Sequence, residues 1–160
     1  MGKAFGAPEQ AKIKQIISEG VTVMQEIQDQ LREDPNNAEL WFQLGQGYLL
    51  EGELDGALIC FDYAIQLTEP VGATQLAAKA TTLYYIHQQS MTQEVSLLLE
   101  QALQIEPHNE AALSLIANDH FLSFRFQEAI DTWVLLLDSN DPSLDRVQII
   151  NSINKAKELL

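Results

Sequence analysis

Trp41, Leu44, Gly45 and Tyr48 fall on one stretch of the chain, and Ala57, Phe61 and Ala64 on the next. The spacings are i, i+3, i+4, i+7 and then i, i+4, i+7, so each stretch places its set on one helix face. Two such helices can nest only if small residues stand where the backbones approach. Gly45 opens that slot in the first helix, and Ala57 and Ala64 open it in the second. Trp41, Leu44, Tyr48 and Phe61 then fill the space between them.

The pattern returns along the chain. Asp34-Pro35 is echoed by Glu106-Pro107, and Leu113, Ile116, Ala117 and Phe121 occupy the places of Trp41, Leu44, Gly45 and Leu49. Ala129, Trp133 and Leu136 match Ala57, Phe61 and Ala64. Val95, Leu99 and Ala102 mark a further second helix, preceded by extra residues around His87–Thr92. This is the tetratricopeptide (TPR) signature, with a repeat of about 34 residues. One helical pair cannot bury its own apolar face, which is why the unit repeats.

The expected fold is therefore all-α: a TPR helical-hairpin solenoid of three units, with an N-terminal half-repeat and a C-terminal capping helix. Residues 1–21 read as a separate segment with a short helix from Pro8 to Glu19, carrying Ile13, Ile16 and Ile17 on one side and broken at Gly20. Whether Met1–Gly6 is a native start stays open. The TPR domain is assigned to residues 22–160: a half-repeat at 22–36 with Met24, Ile27 and Leu31 inward, repeats at 37–69, 72–106 and 109–139, and a cap at 142–160. Expected N-caps are Asn37, Asn109 and Asp141, the last with Pro142 in the first turn, and Ser90 opens a capping box with Gln93. Gly52 marks a turn. Leu144, Val147, Ile150 and Ile153 form the apolar stripe of the cap, and Gln148, Asn151, Asn154, Lys155 and Lys157 its wet face. Lys79 departs from the pattern, standing where Leu44 and Ile116 sit.

Function classes narrow quickly. The net charge of −14 repels nucleic acid and anionic lipid and favours basic partners. No stretch approaches the ~20 apolar residues of a membrane span, so any membrane association requires an anchor absent from this sequence. Cys60 is the only cysteine and reads as a small buried apolar residue. His87, His108 and His120 lack metal-ligand spacing, no phosphate-binding glycine loop is present, and the glycines of Gly45-x-Gly47 serve packing. Neither a catalytic residue, a metal nor a cofactor is expected.

The remaining candidate is a groove lined by the first helices of the repeats. Residues outside the packing set face it: Glu39, Phe42, Gln46, Leu49 and Leu50; Thr74, Ala77, Thr81, Tyr84 and Tyr85; Ala111, Ser114, Asn118, Phe121 and Leu122. Such an aromatic and neutral-polar surface suits an amphipathic helix or an extended peptide. The lysines and arginines with which chaperone-binding TPRs clamp a carboxylate are missing from these positions.

Taken as a whole, residues 22–158 resemble the TPR accessory subunits of the bacterial cytochrome c haem lyase, the CcmI/CycH/NrfG family, and its NrfG branch most. The resemblance rests on Leu31–Gly45, on Ala80-Thr-Thr-Leu-Tyr84-Tyr85 followed by Ser90-Met91-Thr92 in the long turn, on Gln127–Leu137, and on Val147 to Ala156. It implies a non-catalytic domain on the periplasmic side of the inner membrane, tethered by a span absent here. Its implied partners are the C-terminal segment of an apocytochrome c, the multihaem nitrite reductase for the NrfG branch, and the other haem-lyase membrane subunits. Alternatives are a scaffold that assembles those subunits and a generic TPR adaptor.

Overall fold

The computed structural model describes residues 7–160, apart from the side chains at positions 9, 13 and 16–21. Met1–Gly6 and the stripe of Ile13, Ile16 and Ile17 therefore lie outside the described residues. Eight α-helices are present among them: α1 Ala7–Glu33, α2 Ala38–Leu50, α3 Leu54–Gln66, α4 Ala73–Ile86, α5 Gln93–Ile105, α6 Glu110–Leu122, α7 Phe126–Leu137 and α8 Arg146–Glu158. They group into two units, Met1–Leu67 and Thr68–Leu160.

In the first unit α2 and α3 form the hairpin that the motif demands. A Cβ built on Gly45 would stand 2.6 Å from the Phe61 ring, and Phe61, Ala57 and Ala64 are fully buried. The glycine is thus the slot and the phenylalanine its filler. Gly47 makes the same kind of room for Met24, and Gly56 for Tyr48. Trp41 sits at the edge of this core: it stacks on Tyr63 at 4.7 Å and its indole N–H donates to the Pro35 carbonyl at 2.8 Å. From α1, Ile27 and Leu31 are buried and Met24 packs beside them, while Gln28 donates to the Tyr48 hydroxyl at 2.9 Å. The helix runs continuously through Gly20, which corrects the expected break; a single glycine in a helix costs only ~1 kcal/mol relative to alanine.

Cys60 is buried with Leu44 and Ile27, and burial pushes its thiol up to about 11. Thiolate is the reactive form, so alkylation by iodoacetamide near neutral pH should be ~100-fold slower in the folded protein than after denaturation. Equal rates, followed by mass spectrometry, would show that Cys60 is accessible.

The second unit holds α4–α8. Leu113, Ala117, Ala129, Trp133 and Leu136 join Ile149, Ile153 and Ala156 in one core, so Ala117 and Trp133 replay the Gly45–Phe61 pairing with a slightly larger slot. The turn His87–Thr92 between α4 and α5 has six residues, against three in Glu51–Glu53 and Ser123–Arg125. Gln88 and Gln89 take φ values of 57 and 60° there.

Asn37 and Asn109 cap α2 and α6 as expected, accepting from Leu40 N at 3.2 Å and Ala112 N at 3.0 Å. Gly52 takes the left-handed turn conformation, with φ 77°. Two caps differ. Thr92, not Ser90, caps α5 through Val95 N. Asp145 caps α8 through Gln148 N, while Asp141 instead accepts from the backbone N–H and the hydroxyl of Ser143. That local turn holds the Asp141 carboxyl below its usual range and delays the helix to Arg146. The cap stripe shifts in consequence. Ile149, Ile153 and Ala156 are buried with Leu144, whereas Val147 and Ile150 are exposed. Both sets have helical periodicity, and packing on α7 selects between them. The polar residues Gln148, Asn151, Asn154, Lys155 and Lys157 all face solvent.

Candidate functional site

A groove forms in the second unit between α6 and α8. Glu110, Ser114 and Asn118 line it from successive turns of α6, Asp145, Gln148, Ile149 and Ser152 line it from α8 and its cap, and Trp133 of α7 forms its floor. Its volume is about 210 Å³. It shares Glu110 and Ser114 with a wider hollow of about 900 Å³, lined further by Thr74, Ile105–Ala111, Ser139 and Asp141. Asn109 orders that rim: its amide N–H donates to Thr74 Oγ1 at 3.2 Å and to Glu106 Oε2 at 2.7 Å. Four carboxylates line the two hollows, those of Glu106, Glu110, Asp141 and Asp145, and among the described residues lining them none is a lysine or arginine. One helical turn past Asn118 and Ser152 the character reverses. Lys155 Nζ lies 5.8 Å from the centroid of the Phe121 ring, which packs against Phe126 and Trp133.

The residues predicted to line one groove have different settings. Phe42, Gln46 and Leu49 belong to the first unit: Gln46 is exposed, Leu49 half-buried, and Phe42 packs on Phe61 with ring centroids 5.5 Å apart. In the second unit Ser114 and Asn118 line the groove together. Thr81 is half-buried and its hydroxyl donates back to the Ala77 carbonyl at 2.9 Å, and Tyr85 stands edge-on to Tyr84, half exposed. Ala77 and Tyr84 require correction: they are 0% and 1% exposed and cannot touch a ligand. Ala77 lies in the core of its unit. The Tyr84 hydroxyl donates to Asp119 Oδ1 at 2.9 Å, and Asp119 also receives Arg125 at 3.1 Å. Burial first, then the bond to this carboxylate, push the Tyr84 phenol up to about 12. Phe121 is half-buried and packs into the core around Trp133, so it serves as a wall more than as a free anchor.

Gln148, Ser152, Glu110 and Asp145 are groove residues absent from the expected set. The helical spacing of Gln148, Ser152 and Lys155 was the available signal, since a capping helix occupies the place of a further first helix. Among the described residues no group of three or more His, Cys, Asp or Glu side chains could hold a metal ion, and no helix is long and apolar enough to cross a membrane.

The family described as "Cytochrome c-type biogenesis protein H TPR domain" matches residues 20–147. The chain belongs to that family. It is 36% identical over 136 residues to the formate-dependent nitrite reductase complex subunit NrfG of Escherichia coli O157:H7, covering 85% of this chain and 68% of that protein. It is 38% identical over 128 residues to the bifunctional subunit NrfFG of Haemophilus influenzae, and 25% identical over 161 residues to the cytochrome c-type biogenesis protein CycH of Pseudomonas aeruginosa. The match covers 80% of this chain and 33% of NrfFG, and 96% of this chain and 39% of CycH. The chain thus stands nearer to the NrfG type than to CycH. A Vibrio parahaemolyticus protein crystallised under the designation YfrE is 85% identical, covering 56% of this chain and 98% of that one, with a TM-score of 0.55. A crystal structure of MamA shares the fold, with a TM-score of 0.61 at 17% identity over 92% of this chain and 77% of that one. The fold class is the all-α TPR helical-hairpin solenoid that the repeats predict.

Proposed function

We propose that this domain is a non-catalytic peptide-binding module of a cytochrome c haem-lyase complex, which holds the C-terminal segment of an apocytochrome c while other subunits attach haem. The observation that carries this reading is the α6–α8 groove: neutral-polar walls at Ser114, Asn118, Gln148 and Ser152, an aromatic floor at Trp133, and flanking carboxylates. Amide and hydroxyl side chains suit a peptide backbone, and the carboxylates suit basic residues on the peptide. Family membership supplies the process, and the likeness to NrfG makes the multihaem nitrite reductase the client of choice. The domain would then work on the periplasmic side of the inner membrane, beside the membrane subunits of the lyase.

Asn118 is exposed and Ser114 half-buried, and neither belongs to the hydrophobic core. Asn118→Arg should therefore block the groove without unfolding the domain. Calorimetric titration with the last ~20 residues of the client apoprotein, against a scrambled peptide, should show binding to the native peptide alone. The Arg variant should weaken it by about tenfold or more, ~1.4 kcal/mol. Unchanged affinity in that variant would remove the groove from the reading, and equal heat with the scrambled peptide would remove sequence-dependent capture.

A further inference from the structure

The α6–α8 groove has two unlike ends. At the N-terminal ends of both helices it is bordered by Glu106, Glu110, Asp141 and Asp145. The bond from Ser143 keeps Asp141 ionised to lower pH. Towards the C-terminal ends, one helical turn past the lining residues Asn118 and Ser152, Lys155 stands over the Phe121 ring. Ring contacts continue from Phe121 to Phe126 at 5.4 Å and from Phe126 to Phe124 at 6.1 Å. Phe124 is 81% exposed and takes φ 63°, in the turn where the first repeat has Gly52 at 77°. A bulky residue in that conformation carries ~1 kcal/mol or more of strain that glycine would avoid. The lysines and arginines of this unit are Lys79, Arg125, Arg146, Lys155 and Lys157; Arg125 is engaged by Asp119 and His120, and Arg146 by the carbonyls of Leu137 and Ser139. Lys155 is the cation that stands at the groove's end over an aromatic ring.

We infer that the groove binds its peptide in one polarity, with the free C-terminal carboxylate and last apolar side chain at Lys155, Phe121 and Phe124, and the preceding basic segment at Glu110, Asp141 and Asp145. The inference rests on the peptide-binding reading above and adds the direction. Charge complementarity decides it: reversing the peptide would place a carboxylate among four others and basic side chains against Lys155. The apolar rings beside Lys155 exclude water from one side of the ion pair and give the terminal side chain a surface to cover. The occupant is thus a peptide with a free C-terminus, an apolar last turn and basic residues upstream.

The test uses the whole chain, isotopically labelled, and two forms of the client peptide, each with a nitroxide on a cysteine near one end and both with a free carboxylate. The label near the C-terminus should broaden the amide signals around Lys155 and Phe124, and the label near the N-terminus those around Glu110 and Asp145. The reverse pattern, or equal broadening at both ends, overturns the polarity while leaving peptide capture intact. Failure of either peptide to bind removes both readings together. A second arm compares free-acid and amidated peptide: amidation should weaken binding to wild type about three- to fivefold and leave Lys155→Gln nearly unaffected, the scale of an exposed ion pair. An equal loss in both proteins would show that Lys155 does not receive the carboxylate.

Discussion

Phe61→Ala is expected to remove about 3–5 kcal/mol from the stability of the first unit. The ring is 0% exposed, fills the slot above Gly45 at a distance that admits no Cβ, and packs against Phe42. That loss is a large share of a typical domain stability of about 5–15 kcal/mol. Urea unfolding followed through Trp41 in a Trp133→Phe background isolates the signal to this unit. The pairing also predicts non-additivity. Gly45→Ala should cost about 1–3 kcal/mol through overpacking, against the ~1 kcal/mol that alanine contributes to helix propensity. In a Phe61→Leu background the smaller side chain leaves room, and the same substitution should cost far less. Simple additivity would show that the slot is not shaped by the ring.

Asp119→Ala should cost the second unit about 3 kcal/mol, because it strands a buried donor. The Tyr84 hydroxyl, 1% exposed, has Asp119 as its partner at 2.9 Å, and an orphaned buried hydroxyl costs about 1–3 kcal/mol beyond the bond itself. Asp119→Asn keeps an acceptor and should recover much of the loss, whereas Tyr84→Phe leaves Asp119 its Arg125 contact and should cost only about 1–2 kcal/mol. A pH signature separates this pair from ordinary packing. The folded-state pKa of Tyr84 is raised from 10.0 to about 12, so the neutral phenol is favoured by folding. Its contribution is complete below pH 10 and disappears as the pH climbs to 12, a loss of about 2–3 kcal/mol. Stability measured across that window should fall by this much more in wild type than in Tyr84→Phe. Parallel curves would mean that burial and Asp119 do not hold the phenol neutral.

The helical hairpins, their boundaries at Asn37 and Asn109, the Gly45–Phe61 and Ala117–Trp133 pairings and the long turn after His87 were legible in the residues. Each depends on neighbours within one repeat, where helical spacing turns sequence distance directly into contact. The groove was half legible. Ser114 and Asn118 line it as their places on α6 suggest, but Ala77, the counterpart of Ser114, and Tyr84, the counterpart of Phe121, are covered. Periodicity identifies the face of a helix and not what lies over that face. Tyr84 is buried because Asp119, 35 residues away, offers its hydroxyl a partner there.

The last helix shows the same division. Val147 with Ile150 and Ile149 with Ile153 are equally periodic, and Asp141 with Pro142 is a sound start signal. The Ser143 turn and the surface of α7 nevertheless choose a later start and the other stripe. Sequence alone determined the all-α repeat architecture and the acidic character of the chain, because these follow from local spacing and composition, while the family was legible as a resemblance in segments such as Leu31–Gly45 and Gln127–Leu137. The tertiary structure alone decided which polar residues share a groove and which charge stands at each end. Glu110 lies on α6, and Asp145 and Lys155 stand at opposite ends of α8; only packing around Trp133 sets the two helices along one track.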